Sequence, residues 1–135
     1  MPLEYSGIIA EHNAVRTSVG LFDVSHMGEI FVRGPAAFEL VQRITSNDLA
    51  KVGILEAQYS VMPSAEGTIV DDLIVYRLRD QEYMLVVNAA NIAKDLAWIK
   101  SNNSVQAEIE DKSSDIIMLA IQGPRSVDTL RPLVD

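Results

Sequence analysis

The sequence predicts an α+β fold in which helices pack against largely antiparallel strands. Three observations carry that expectation. Six segments of the 135 residues, 21–24, 29–33, 58–62, 69–78, 83–88 and 116–121, are rich in β-branched and aromatic residues, and turn residues separate most of them. Three other segments place apolar residues at helical spacing. Apolar residues make up 48% and charged residues 22%, the balance of an ordinary soluble domain rather than of a disordered or collagen-like chain.

Taken in order, the first helix follows Ser6, with Ile8, Ile9, His12, Val15 and Val19 at helical spacing and Gly20 as its stop. Strands at 21–24 and 29–33 come next. Residues 36–45 put Phe38, Val41 and Ile44 on one face, which makes a second helix. After the strands at 58–62, 69–78 and 83–88, Asn91 is placed to cap a third helix with Ile92, Leu96 and Ile99 on one face. Ser101-Asn102-Asn103-Ser104 reads as a polar loop. The strand at 116–121 is so uniformly apolar that it is expected at the centre of a sheet. With no low-complexity run or linker, residues 1–135 read as one domain or a piece of a larger one.

An internal echo runs through these elements. Phe31-Val32-Arg33-Gly34-Pro35 leads to Phe38 and Val41, and Ala120-Ile121-Gln122-Gly123-Pro124 leads to Val127 and Leu130. Each reads strand, Gly-Pro, helix: Gly permits a sharp exit from the strand, and Pro is tolerated in a helix's first turn, where its missing N–H is not needed. The echo suggests a duplicated half-motif of the split βαβ kind, although Gly-Pro turns also recur by coincidence.

The net charge of −8 and pI of about 4.6 produce a field that repels phosphate backbones and anionic lipid, which argues against nucleic acid and membrane surfaces as partners. The chain has no cysteine, so disulfides, thiolate nucleophiles and cysteine-based metal sites are removed, and a reducing compartment fits. No apolar run approaches the roughly 20 residues of a membrane span, and the first residues lack the regions of a signal peptide. A soluble, intracellular protein is expected.

The informative segment is Gly67-Thr68-Ile69-Val70-Asp71-Asp72-Leu73-Ile74-Val75-Tyr76. Two adjacent carboxylates stand in an apolar strand, an element from which Asp is depleted. With a period of two, Val70, Asp72, Ile74 and Tyr76 share one face, and Ile69, Asp71, Leu73, Val75 and Arg77 share the other. Only one of the two aspartates faces a given pocket. Asp72 and Tyr76 lie roughly 13 Å apart along the strand, a separation that suits two ends of an elongated ligand. Carboxylates at a bulge or strand end that bind backbone N–H groups are the structural alternative.

Tyr59, Tyr76 and Tyr83 stand on separate strands, where such rings either flank a flat ligand or fill a core. Asn88, in Val87-Asn88-Ala89-Ala90-Asn91, offers donors and an acceptor to a heterocycle edge, and is equally ordinary as a cap. Asp23, Ser25 and His26 are close in sequence, but neighbours along an extended segment point to opposite faces, so a hydrogen-bonded turn is the better reading than a triad. With His12 and His26 as the only histidines, a histidine-rich metal site is not expected.

Gly20-Leu21-Phe22-Asp23-Val24-Ser25-His26-Met27-Gly28, Asn47-Asp48-Leu49, Gln58-Tyr59-Ser60, Asp71 to Tyr76, Val87 to Asn91, Lys94-Asp95 and Gln122-Gly123-Pro124 together resemble, in the same order, the aminomethyltransferase family of the glycine cleavage system, the T-proteins. The resemblance covers nearly the whole chain, and it is the ordered series rather than any one block that is specific. It implies the N-terminal part of the aminomethyltransferase folate-binding fold. It also implies an enzyme that takes an aminomethyl group from the lipoyl arm of the H-protein, uses tetrahydrofolate as co-substrate, releases ammonia and forms 5,10-methylenetetrahydrofolate. By motif match, Asp72 falls on the family's catalytic aspartate, Tyr59, Tyr76, Val87, Asn88 and Ala89 on folate-contacting positions, and Met27 on a pocket wall. A carboxylate there would stabilise positive charge developing near the folate nitrogens. Asp71, on the opposite face, is read as structural.

The compartment implied is the cytoplasm, or the mitochondrial matrix in a eukaryote. Family members also carry a short segment ahead of Met1 and a much longer part beyond Asp135, so this stretch alone is expected to be inactive, to bind folate weakly and to self-associate through uncovered apolar area. Two departures bear on turn geometry: Thr68 stands where the family commonly has a second glycine, and Met62-Pro63 is unusual. The alternatives are a folate-binding domain of a dimethylglycine or sarcosine oxidising enzyme, and a non-catalytic folate-binding homologue.

Overall fold

In the computed structural model, which describes residues 3–134, the β-rich segments sort into two sheets. The elements run α1 (Ile8–Thr17), β1 (Gly20–Asp23), β2 (Gly28–Arg33), α2 (Ala37–Ile44), β3 (Glu56–Pro63), β4 (Ile69–Arg79), β5 (Glu82–Val87), α3 (Ile92–Ser101), β6 (Glu108–Asp111), β7 (Leu119–Gln122) and α4 (Ser126–Leu130). Short 3-10 turns lie at Leu49–Lys51, Ala89–Asn91 and Arg131–Leu133. The chain divides into two units, one of residues up to Val24 with those from Ile117 onward, the other of Ser25–Ile116.

In the first unit, β1 and β7 pair antiparallel, with Gly20 opposite Gln122 and Asp23 opposite Leu119. The apolar run at 116–121 is therefore not a central strand. It becomes β7 of a two-stranded sheet, and Leu119 is 53% exposed. An apolar run reports a demand for burial, and nothing in its composition says which strand will lie beside it. Ser6 does not cap α1 either. The Glu11 side chain reaches back instead, and its Oε1 accepts the N–H groups of Tyr5, Ser6 and Gly7 at 2.6, 2.6 and 3.2 Å. The echo is real at the level of the backbone: Gly34 and Gly123 take φ of 92° and 128°, and helices α2 and α4 follow. At Gly123 the requirement is strict, because a Cβ would sit 2.5 Å from the Ser18 carbonyl oxygen and 2.7 Å from that of Val15.

The second unit is a five-stranded sheet in the order β3-β4-β5-β2-β6, antiparallel at every pairing. Its strand β6, Glu108-Ile109-Glu110-Asp111, is too acidic to read as a strand from composition. It forms an edge, where charge is tolerated and discourages further pairing. One face of the sheet carries the core: Ile30 and Val32 of β2, Leu73 and Val75 of β4, and Tyr83, Leu85 and Val87 of β5 pack with Ile99 of α3 and the buried stripe Ala37, Leu40, Val41 and Ile44 of α2. That stripe has the i, i+3, i+4, i+7 spacing of an amphipathic helix. Phe38, expected among the inward residues, is 41% exposed one step off the stripe.

The hairpin joining β3 to β4 accommodates both departures noted in the sequence. Gly67, with φ 81°, donates its N–H to the Ser64 carbonyl, and the Ser64 and Thr68 hydroxyls meet at 2.8 Å, so a threonine fits where a second glycine would otherwise stand. Pro63 has no N–H to offer the ladder, and the register slips there: Met62 faces Asp71 but Pro63 faces Ile69, which leaves Val70 as the extra residue of a bulge. Proline on an edge strand at a bulge is a placement the ladder tolerates.

Candidate functional site

The period of β4 sends the two adjacent aspartates to opposite faces. Asp71, Leu73 and Val75 are buried toward the helices, whereas Asp72, Ile74 and Tyr76 are half-buried on the other face; Val70, expected to share that face, is the bulged residue and packs against the core instead. Register then decides what stands near Asp72. Val61 of β3 lies directly opposite it, and Tyr59, two residues along the same face, extends its hydroxyl to donate to Asp72 Oδ2. The Asn88 amide, just past β5, donates through Nδ2 to Asp72 Oδ1 at 2.9 Å and to Asp71 Oδ1 at 3.0 Å. One amide group thus bridges carboxylates on two faces of the same strand. The hydrogen bond to Asp72 also raises the pKa of the Tyr59 hydroxyl, because loss of its proton would set a phenolate against the carboxylate.

Behind the strand, Asp71 sits in a ring of donors. Asn91 Nδ2 donates to its Oδ2 at 2.7 Å, Asn88 to its Oδ1, and the Asp72 N–H to its Oδ1 at 2.9 Å. Lys94 Nζ lies 4.0 Å from Asp71 Oδ2 and 3.7 Å from Asp95 Oδ1, and bonds the carbonyl of the bulged Val70 at 2.7 Å. Burial works against charge on Asp71, but the adjoining Asp95 carboxyl and the hydrogen bonds from Asn91, Asn88 and the Asp72 N–H outweigh it and hold the carboxyl at about 2. Asp95 of α3 is fully buried, and burial, then its contact with Asp71, pushes it up to about 7. The two carboxyls are pushed in opposite directions because donors surround Asp71 and, among the described residues, none reaches Asp95.

The placement of the other expected residues follows from register. Tyr76 shares the Asp72 face, and β5 sets Met84 opposite it and Val86 opposite Ile74. Met27 is half-buried in the turn before β2, and Ala89 is half-buried at the start of the 3-10 turn after Asn88. Val87 pairs with Leu73 and Gly28 and is fully buried on the helix-covered face, so its side chain is turned away from Asp72. For Tyr83 the same register settles between the two readings. It is 1% exposed and belongs to the core, so only Tyr59 and Tyr76 of the three tyrosines stand on the Asp72 face. Asn91 occupies the N-cap position of α3 but makes no side-chain cap, since its amide is turned to Asp71. Asn47 and Asp48 act on backbone: Asn47 Nδ2 donates to the Tyr59 carbonyl at 2.6 Å, and Asp48 Oδ1 accepts the Ala50 N–H at 3.1 Å. Asp23 ends β1, while Ser25 and His26 lie in the turn before β2.

Sequence reasoning did not assign Val86, Met84 and Phe31 to the Asp72 face, nor Asn91, Lys94 and Asp95 to the carboxylate ring. Counting strand parity across β5 would have found the first group. The second had only the Lys94-Asp95 pair as a signal, with no way to know that it lies over Asp71. The face as a whole offers a carboxylate held by two donors, flanked by aromatic and apolar side chains, with Tyr59 62% exposed. Such a surface suits a flat polar heterocycle that carries or acquires positive charge.

Comparison with known proteins bears on that chemistry. The whole chain, residues 1–135, matches the family model described as the GCVT N-terminal domain. It is 53% identical over 133 residues to an aminomethyltransferase of Phocaeicola vulgatus and 51% identical over 133 residues to one of Flavobacterium psychrophilum. Each match covers 98% of this chain and 37% of the relative. A crystal structure of glycine cleavage system aminomethyltransferase T from Bartonella henselae is similar with a TM-score of 0.88 at 34% identity, over 98% of this chain and 37% of that one. The chain spans little more than a third of the length of these relatives.

Proposed function

Because this chain belongs to the family of GCVT N-terminal domains, we propose that its protein is a tetrahydrofolate-dependent aminomethyltransferase of the glycine cleavage type, with Asp72 as the catalytic carboxylate. The observation that carries the reading is the bridge at Asp72: one oxygen accepts from Tyr59, the other from Asn88, and the carboxylate stands half-buried on the face opposite the helices. A reduced folate fits that donor set, since a pteridine is flat, has ring N–H groups for a carboxylate, and can lie against Tyr59 and Tyr76. When bound, it supplies the nitrogens that accept the one-carbon unit.

What the chain's own residues contribute is electrostatic and positional. Asp72, held at both oxygens, presents fixed negative charge where positive charge develops, and fixed dipoles need no reorganisation at that moment. Tyr59 and Asn88 hold its geometry, and Asp72 can also accept a hydrogen bond from a ligand N–H or take up its proton. Met27, Tyr76 and Ala89 serve as walls, and Val87 contributes from beneath as packing. The donor of the aminomethyl group is the lipoyl arm of the H-protein, and the compartment is the cytoplasm, or the mitochondrial matrix in a eukaryote.

The test is Asp72→Asn in the full-length protein, a change that keeps shape and removes charge. Aminomethyl transfer is expected to fall by about 10²-fold or more, the scale of losing a preorganised transition-state contact. The far-ultraviolet spectrum and melting curve should stay close to the unmodified protein. Undiminished turnover would overturn the assignment.

A further inference from the structure

The helix-covered side of β4 holds a carboxyl group that the proposed chemistry leaves unused. Asp95 has no solvent exposure, and among the described residues neither of its oxygens has a hydrogen-bond donor. An ionised carboxylate in that position would keep all its lone pairs unmatched, which is a costly arrangement. Its neighbour is the opposite case, because Asp71 accepts from Asn88, Asn91 and the Asp72 N–H. When two carboxyl groups meet and only one is furnished with donors, the furnished one ionises and the other keeps the proton. The charged groups that face Asp95 are Asp71 from β4 and Lys94 from α3, and Lys94 is shared between both carboxyls and the Val70 carbonyl. Asp72 lies across the strand, reached only through Asn88.

A continuous chain results. Lys94 Nζ spans Asp95 Oδ1 at 3.7 Å and Asp71 Oδ2 at 4.0 Å, Asp71 and Asp72 are joined by the single Nδ2 of Asn88, and Asp72 stands half-buried on the opposite face of the strand. We propose that Asp95 is a positioning residue for Asp72: its protonated carboxyl donates to Asp71, keeps Asp71 a carboxylate turned toward Asn88, and through that amide fixes the orientation of Asp72. This rests on the reading of Asp72 as the reacting carboxylate. If the Asp95 proton is lost, two buried negative charges face each other, the pair is driven apart, and Asn88 loses the acceptor that fixes its amide plane.

The experiment uses the full-length protein with Asp95→Asn, which keeps a donor toward Asp71 at every pH, and Asp95→Ala, which removes it. Two readouts are followed against pH: the rate of aminomethyl transfer and the side-chain amide resonances of Asn88. In the unmodified protein both should change as pH rises through about 7, where burial and Asp71 have placed the Asp95 proton. Asp95→Asn should abolish the movement of the Asn88 resonances and the alkaline decline in transfer. Asp95→Ala should lose transfer on the order of 10- to 100-fold at all pH values, the scale of a misplaced catalytic group. Asn88 resonances that stay fixed through that range in the unmodified protein would overturn the proposal. So would an Asp95→Asn variant as impaired as Asp95→Ala at every pH. Should Asp95→Ala fail to fold, the resonances and the Asp95→Asn profile still decide. If Asp72→Asn keeps full transfer while Asn88 still titrates through Asp95, the functional reading fails and the proton-sharing pair stands.

Discussion

The two faces of the five-stranded sheet use the same strands for opposite purposes. On the helix-covered face, Leu73, Val75, Leu85 and Val87 are buried among α2 and α3, and the carboxylates there, Asp71 and Asp95, are enclosed with amides and a lysine. On the other face, Asp72, Ile74 and Met84 are half-buried and Tyr59 mostly exposed, while Val86 and Glu29 farther across the sheet are buried. Adjacent residues of one strand thus experience different solvents. The same functional group is buried among donors at Asp71 and half-buried at Asp72, and the pleat separates the two environments.

The largest expected effect comes from emptying the covered face. Leu85→Ala should cost about 2–5 kcal/mol, the range for a buried leucine whose cavity cannot collapse, whereas Met84→Ala on the other face should cost about 1 kcal/mol. Chemical denaturation of both variants measures the contrast. Equal losses would break it, by making the Asp72 face as buried as the core.

Next in size is the contrast between the two aspartates themselves. Asp71→Asn places an amide among donors that need an acceptor and should cost about 1–3 kcal/mol, while Asp72→Asn should cost about 0.5 kcal/mol and affect transfer instead. The pH dependence carries the same signature. Asp71 is held below its ordinary value of 3.8, at about 2, so its stabilisation is complete above 3.8 and is lost as pH falls toward 2. Asp95 is raised from 3.8 to about 7, so its contribution is complete below 3.8 and is lost as pH rises to about 7. Melting temperatures across pH should therefore lose the upper limb in Asp95→Asn and the acid limb in Asp71→Asn. Unchanged profiles would place the titrating groups elsewhere.

The smallest effect concerns charge at the surface. Arg33, on the Asp72 face of β2, pairs with Glu82 and Glu110 and lies 4.4 Å from the centre of the Phe31 ring. Arg33→Ala should cost about 1 kcal/mol for this partly covered network, against about 0.3 kcal/mol for Arg43→Ala, whose pair with Glu39 at 3.5 Å is a solvated i, i+4 contact. Thermal melts at low and high salt would separate the two, since only the exposed pair should vanish into screening.

By itself the sequence determined the strands and helices that periodicity writes directly, the α+β class, and the division of Asp71 from Asp72 across β4, because a period of two follows from the backbone. The ordered series of motifs identified the family and pointed to Asp72, Tyr59, Tyr76 and Asn88. Tertiary structure decided the rest. Val87 and Tyr83 went to the core because pairing with β2 and β4 sets the parity of β5, and that register is a property of three strands at once. The acidic β6 became a strand only because β2 had an open edge, and the apolar run at β7 found a single partner. Asp95 had no signal of its own: its proton belongs to a contact between a helix and a strand 24 residues earlier in the chain, Asp71 to Asp95, and an ionisation state depends on the partners and the solvent that folding brings to a group or takes away.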